Sequence, residues 1–388
     1  MGNPPGKMTM FDFDRIIDRR GTGSLKWDRY ADRDVLPLWV ADMDFTAPPA
    51  VLEALGKRAA HGIFGYTHAP PELVEGILIR MWERYRWRVA AEDLVWLPGL
   101  VVGLNVACRA VGDGGSEVLT MTPIYPPFLS APALSGRKLA TVPMVRERQG
   151  WRIDFEALEA AVTPATRLLL LCSPQNPTGR VFTPGELGRL AELCQRHDLV
   201  LCSDEIHCDL VLEPGCAHLP AASLGGDIAA RTITLMAPSK TFNLPGLNCA
   251  FALITDAGLR QRFQRAMAGI VPYVNLFGYI GALAAYRDSG AWHAALLDYL
   301  RGNRALVAGA VEAMPGLVCI PGEATYLAWI DARDSGIDDP AGFFEQAGVG
   351  LSDGREFGAP GFVRLNFGCP RSLLEQGLER MRKALTCR

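Results

Sequence analysis

The chain's 388 residues are 49% hydrophobic and 21% charged, enough apolar content to bury a large core in two domains. A net charge of −3 offers no electrostatic case for a nucleic-acid partner. No run of about 18 apolar residues is present, so no membrane-spanning helix is expected.

The opening forty residues are polar and charged, and Met1 to Met10 carry no apolar signal segment. They lead into Leu36-Pro37-Leu38-Trp39-Val40-Ala41-Asp42-Met43-Asp44-Phe45. A helix is predicted from about Pro48, with proline in its first turn, and an amphipathic one from Pro71 to Arg88. Continuous apolar runs follow at Leu94–Leu97, Val118–Met121, Leu168–Cys172, Leu199–Ser203, Thr232–Met236 and Cys249–Ile254. Runs without alternation predict strands buried on both faces, as in a mostly parallel sheet covered by helices. Helical periodicity marks Pro184–His197, with Thr183 as N-cap, and Asp256–Ala268. Beyond these come a helix from Ala291 to about Met314, a strand at Ala324–Ile330 and a helix at Pro340–Ala347. A strand at Phe362–Phe367 and a helix at Ser372–Ala384 close the chain. The expected organisation is a segment 1–45 that joins a smaller α+β domain at 291–388, and a large α/β domain at 46–290.

Of ten cysteines, Cys108, Cys172, Cys194, Cys202, Cys249 and Cys319 lie in apolar runs, where free cysteine acts as a small hydrophobe. There is no Cys-x-x-Cys pair, and His207-Cys208 lacks a second ligand pair at zinc spacing, so no metal site is expected. A reduced cytoplasmic protein is the expectation.

Ligands of α/β sheets bind beyond the carboxyl ends of the strands, so the loops there carry the functional reading. Pro98–Gly103 could open a helix whose backbone N–H groups face an anion; an ordinary β-to-α connection would look the same. In Thr122–Phe128, Tyr125 held by prolines could stack on a planar ring, or simply pack in the core. Ser173-Pro174-Gln175-Asn176-Pro177-Thr178-Gly179 forms a turn that aims Asn176 out of the sheet end. Asp204, at the end of a buried run, is costly unless a cation meets it; a helix cap or salt bridge would serve equally. Ser239-Lys240 sits directly after a strand, where the lysine amine could form an imine with an aldehyde cofactor. Taken alone, that pair is most often a solvated surface feature. Arg364, within Phe362–Phe367, must find an anion, either an internal carboxylate or the α-carboxylate of a substrate.

In this order the motifs resemble the fold-type I pyridoxal phosphate (PLP) enzymes of the aminotransferase class I/II superfamily. Further segments resemble its cystathionine β-lyase and cysteine C–S lyase branch, the MalY/PatB type. These include Arg19–Thr22, Lys26-Trp27-Asp28, Val40–Phe45, Phe64–Thr67, Asp204–His207, Ser239–Leu247, Glu323–Leu327 and Arg364–Arg371. The resemblance implies a large domain with a mostly parallel central sheet and a smaller α+β domain. It implies that Lys240 holds PLP and shuttles protons, Asp204 pairs with the pyridine nitrogen, Asn176 bonds the phenolic oxygen and Tyr125 stacks on the ring. The amides of Leu100 and Val101 and the Ser239 hydroxyl would hold the phosphate, and Tyr66 would reach the phosphate of a neighbouring subunit in a homodimer. Arg364 would clamp the carboxylate of an amino-acid substrate beside Val40 and Ala41. Two departures from the aminotransferase pattern matter: His207 stands where a tyrosine is common, and Asn248 where a phosphate-binding arginine is. The lyase branch shares both.

The implied reaction is β-elimination from cystathionine or another L-cysteine S-conjugate, giving a thiol, pyruvate and ammonia. An aminotransferase would share every step up to the carbanion. A catalytically silent binding protein on the same fold and a specialised relative acting on an elaborate thioether are the other readings.

Overall fold

A computed structural model of the protein describes residues 11–148 and 150–386. The Met1–Met10 opening and the last two residues of the expected 291–388 domain lie outside them. A seven-stranded sheet forms the centre, in the order Leu94–Leu97, Ala250–Leu253, Thr232–Met236, Val200–Asp204, Thr166–Cys172, Glu117–Thr122 and Lys138–Pro143. Ala250–Leu253 is antiparallel to both neighbours, and the other four pairings are parallel.

Side-chain alternation explains why the apolar runs are unbroken. Leu168, Leu170 and Cys172 point into one core, beside helices Leu100–Ala110 and Ala257–Met267. Leu169 and Leu171 point into the opposite core, beside helix Pro184–Arg196. Both faces of the sheet are therefore covered, and every residue of Thr232–Met236 is buried. Thr183 caps Pro184–Arg196 through a capping box with Glu186, as the sequence predicts for this N-cap.

A second sheet of four antiparallel strands runs in the order Val318–Cys319, Leu327–Asp331, Phe362–Asn366 and Ser352–Asp353. Leu36–Pro37 pairs in parallel with Val349–Gly350, tying the start of the chain to its end. Leu38, Met43 and Phe45 share a core with Leu296, Leu300, Leu327 and Leu365. The strand predicted at Ala324–Ile330 begins only at Leu327, because Thr325 adopts φ 73° and breaks the extended run. Helices Pro126–Leu134 and Leu276–Asp288 and edge strand Lys138–Pro143 were not predicted. The edge strand is largely exposed, and helix Leu276–Asp288 has no polar stripe along its length to mark a periodicity. Among the described residues no helix is long and apolar enough to cross a membrane.

A buried ion cluster fixes the loop that connects the first segment to the rest. Lys26 is fully buried, and its Nζ donates to Asp44 Oδ2 (2.7 Å) and the Asp42 carbonyl (3.1 Å). Asp44 also accepts from Trp27 Nε1 (2.8 Å) and Arg19 Nη1 (2.6 Å). Removing one member of a buried pair strands the other charge. Lys26→Met is therefore expected to cost on the order of 3 kcal/mol, discounted for the contact Arg19 retains. Urea denaturation of the variant against wild type measures it.

Candidate active site

The carboxyl ends of the central strands, the loop at Val40–Ala41 and the strand carrying Arg364 enclose a cavity of about 200 Å³. Val200–Asp204 delivers Asp204 as its last residue, one position later than the sequence places the strand end. Asp204 is buried and accepts from the Ile206 amide at Oδ1 (3.1 Å). Burial pushes its carboxyl up to about 7, with the neighbouring Glu205 adding to the rise. A cation facing this carboxylate would restore its charge.

Thr232–Met236 ends four residues before Lys240, whose Nζ donates to the Ala41 carbonyl (2.5 Å). The same carbonyl accepts from the fully buried Tyr326 hydroxyl (3.0 Å). Burial lowers the lysine amine to about 8; Arg364 adds to the fall, while Asp42 and Asp204 oppose it. Asn243, at φ 55°, pins the loop opposite by accepting from the Met43 amide and donating to the Met43 and Phe45 carbonyls.

Arg364 is buried. Its Nη1 donates to Asn176 Oδ1 (3.0 Å), and Nη2 to the Trp39 carbonyl (2.9 Å) and Ser352 Oγ (3.2 Å). The guanidinium lies 4.8 Å over the Phe357 ring, and Nε is buried without a partner. Burial draws the group down to about 10, so it remains a cation at neutral pH with a donor to spare. His207 is buried beside it with Nδ1 unpartnered; burial, then Lys240 and Arg364, push its imidazole down to about 3. A ring so placed is neutral and can give or take only one hydrogen bond at each nitrogen.

At the far end, Gly99 opens helix Leu100–Ala110 without any side-chain cap, leaving the first N–H groups to face the cavity. Leu100, Val101 and Ser239 line that end, together with Asn248 at the position where an arginine is absent. Tyr125 lines the cavity too and is the N-cap of helix Pro126–Leu134.

Of the residues singled out in the sequence, the structure gathers Val40, Ala41, Leu100, Val101, Tyr125, Asn176, Asp204, His207, Ser239, Lys240 and Arg364 around one cavity. Tyr66 is not among them. It is fully exposed and lines a separate surface depression of about 780 Å³ with Phe64, Tyr273 and Phe277. Sequence reasoning missed Trp39 and Ser352. Trp39 acts through its carbonyl, which leaves no trace in a side-chain pattern. Ser352 lies in a two-residue strand with no motif.

The cavity fits PLP on its own geometry. It offers a buried acid wanting a cation, a lysine amine of lowered basicity and an uncapped helix start for a phosphate. Comparison with known proteins agrees. The family described as aminotransferase class I and II matches residues 33–381. Cystathionine beta-lyase PatB of Bacillus subtilis (strain 168) is 36% identical over 387 residues, spanning 97% of this chain and all of PatB. The crystal structure of OvoB is 49% identical, with a TM-score of 0.95 over 97% of this chain and all of that one. A PLP-bound C–S lyase from Staphylococcus hominis is 32% identical, with a TM-score of 0.91 over 97% of this chain and 98% of that one.

Proposed function

The chain belongs to the aminotransferase class I and II family and is a PLP-dependent carbon–sulfur lyase; we propose that it performs β-elimination on L-cystathionine or a related S-substituted L-cysteine. The products are a thiol, pyruvate and ammonia. The observation that carries this reading is Lys240, held by the Ala41 carbonyl between Asp204 and Arg364 with its amine lowered to about 8. Bound in this cavity, PLP supplies an electron sink for the negative charge that develops at the substrate's Cα.

The protein's own groups do the rest. Arg364 receives the substrate carboxylate on its guanidinium and fixes which Cα bond faces Lys240. Lys240 Nζ, in its neutral form, takes the α-proton. The Cβ–S bond then breaks, its electron pair leaves with sulfur, and a proton returns to the thiolate. Water hydrolyses the remaining three-carbon fragment to pyruvate and ammonia. Asp204 would hold the ring nitrogen's proton, Asn176 and neutral His207 would face the phenolic oxygen, and Tyr125 would cover the ring. Ser239 and the amides of Leu100 and Val101 would hold the phosphate.

The test is a set of S-substituted cysteines. L-forms should release thiol over many turnovers, whereas D-forms and the decarboxylated S-substituted cysteamines should not. Thiol release that ignores the carboxylate would contradict the reading. Arg364→Lys keeps the charge but loses the planar fork, and is expected to lower kcat/KM about 100-fold, mostly through KM. Steady-state kinetics on one L-substrate measures it.

The same reading makes the enzyme a cytoplasmic homodimer. Its chain divides into a large domain at 46–290 and a small one formed by 291–388 with the segment 1–45. Tyr66, exposed beside Phe64 and Tyr273, would then reach the phosphate of the partner subunit. Sedimentation equilibrium should give twice the chain mass. Tyr66→Phe should weaken PLP retention on dialysis.

A further inference from the structure

Behind Asp204 lies a buried polar set for which the reaction described above has no use. Glu205 is fully buried, and its two carboxylate oxygens make three polar contacts. Oε1 takes one from Ser203 Oγ (2.9 Å) and one from the Ala221 amide (3.3 Å). Oε2 lies 2.8 Å from His218 Nε2, and the His218 side chain is only 2% exposed. An ionised carboxylate can accept at all three contacts. A charge at that position adjoins Asp204 in the chain, and a second buried anion there works against the first.

The far side of His218 faces a second cavity, which leaves its other ring nitrogen free. Tyr85 meets its ring edge-on at 5.7 Å, and both His218 Nδ1 and the Tyr85 hydroxyl are buried without partners. Both residues line a cavity of about 420 Å³ shared with Arg84, Asp209, Cys208 and Cys216. Asp209 is already neutralised by Arg80 and Arg84, so His218 has one unmatched anion to face, Glu205.

We infer that His218 is a positioning residue for Asp204, acting through Glu205: as an imidazolium it cancels the Glu205 charge, so that Asp204 can stay ionised against the ring nitrogen. The inference rests on Asp204 being the partner of that nitrogen. No bond is made or broken in this role. The histidine changes only which of two adjacent buried carboxylates carries an unmatched charge.

The test uses the PLP-loaded enzyme with 15N at the pyridine nitrogen, read by solid-state NMR, together with the PLP dissociation constant. In wild type the nitrogen should resonate where a protonated pyridine does. In His218→Asn the resonance should move toward the deprotonated position, and the dissociation constant should rise about tenfold. Glu205→Gln removes the anion and should keep the nitrogen protonated. The double variant His218→Asn/Glu205→Gln should regain both the resonance position and the affinity. A purely structural role would instead leave the double variant at least as impaired as His218→Asn. That result, or an unchanged resonance in His218→Asn, would overturn the inference. If His218→Asn does not fold, a deprotonated nitrogen in Glu205→Gln overturns it as well. Asp204→Asn separates the two levels: if it leaves the nitrogen resonance unchanged, the Asp204 assignment itself fails.

Discussion

Lys240→Ala is expected to lower the rate of thiol release by about 10⁴-fold or more, since it removes both the covalent anchor and the base. The visible absorbance of the lysine-bound cofactor should vanish in the same variant, while the far-ultraviolet circular dichroism stays that of wild type. The pH dependence of wild type follows from the same amine. A base works only when neutral, and burial has brought Lys240 from its ordinary 10.5 to about 8. The rate should therefore climb as pH rises through about 8 and level off above it. A lysine left at its solution value would keep climbing to beyond pH 10. Stopped-time thiol assays across pH 6 to 10 distinguish the two on the order of a hundredfold at pH 8.

Asp204→Asn should divide stability from function. Burial raises the Asp204 carboxyl from its ordinary 3.8 to about 7 in the folded, cofactor-free protein. Between those values the folded state binds more protons than the unfolded state, so this group's contribution to stability falls as pH rises from about 4 to about 7. Above pH 7 the cost is fully present. A tenfold change in a group's proton affinity is worth about 1.4 kcal/mol, so the cofactor-free variant should gain roughly 2–4 kcal/mol over wild type at pH 8 and nothing below pH 4. Activity should move the other way. Without a carboxylate to hold the ring nitrogen's proton, kcat should fall about 100-fold or more. Urea titrations of the cofactor-free proteins at pH 4 and pH 8, beside kinetics of the loaded ones, measure both halves. A wild type more stable than the variant at pH 8 would show that Asp204 is not buried at a cost.

Much of the site was legible because a parallel sheet turns sequence order into spatial convergence. Asn176, Asp204 and Lys240 each follow an apolar run closely, and the strands deliver all three to the same edge. Arg364 stood out because a cation in Phe362–Phe367 had no neighbour in sequence to satisfy it. The groups that answer it were not legible. Trp39 answers with a backbone carbonyl, and Ser352 answers from a short strand whose register only the tertiary fold sets. Glu205 and His218 are 13 residues apart with a turn between them, so nothing local predicts their bond. The helix Leu276–Asp288 went unseen for a related reason. It packs against Pro49–His61, and it lies so close to the turn Pro245–Leu247 that a side chain at Gly278 would meet the Leu247 carbonyl at 2.6 Å. Burial of that kind erases the polar stripe by which a surface helix is recognised.

What separates a lyase from an aminotransferase on this scaffold is the fate of the same deprotonated substrate. If a sulfur leaves from Cβ, the cofactor is restored at each turn and no acceptor is required. The decisive measurement incubates the PLP-loaded enzyme with L-cystathionine or an S-alkyl-L-cysteine and no keto acid, and counts products per active site. The account predicts thiol, pyruvate and ammonia in equal amounts over many turnovers. A single burst, ending with the cofactor converted to its amine form and restored only by an added keto acid, would contradict it.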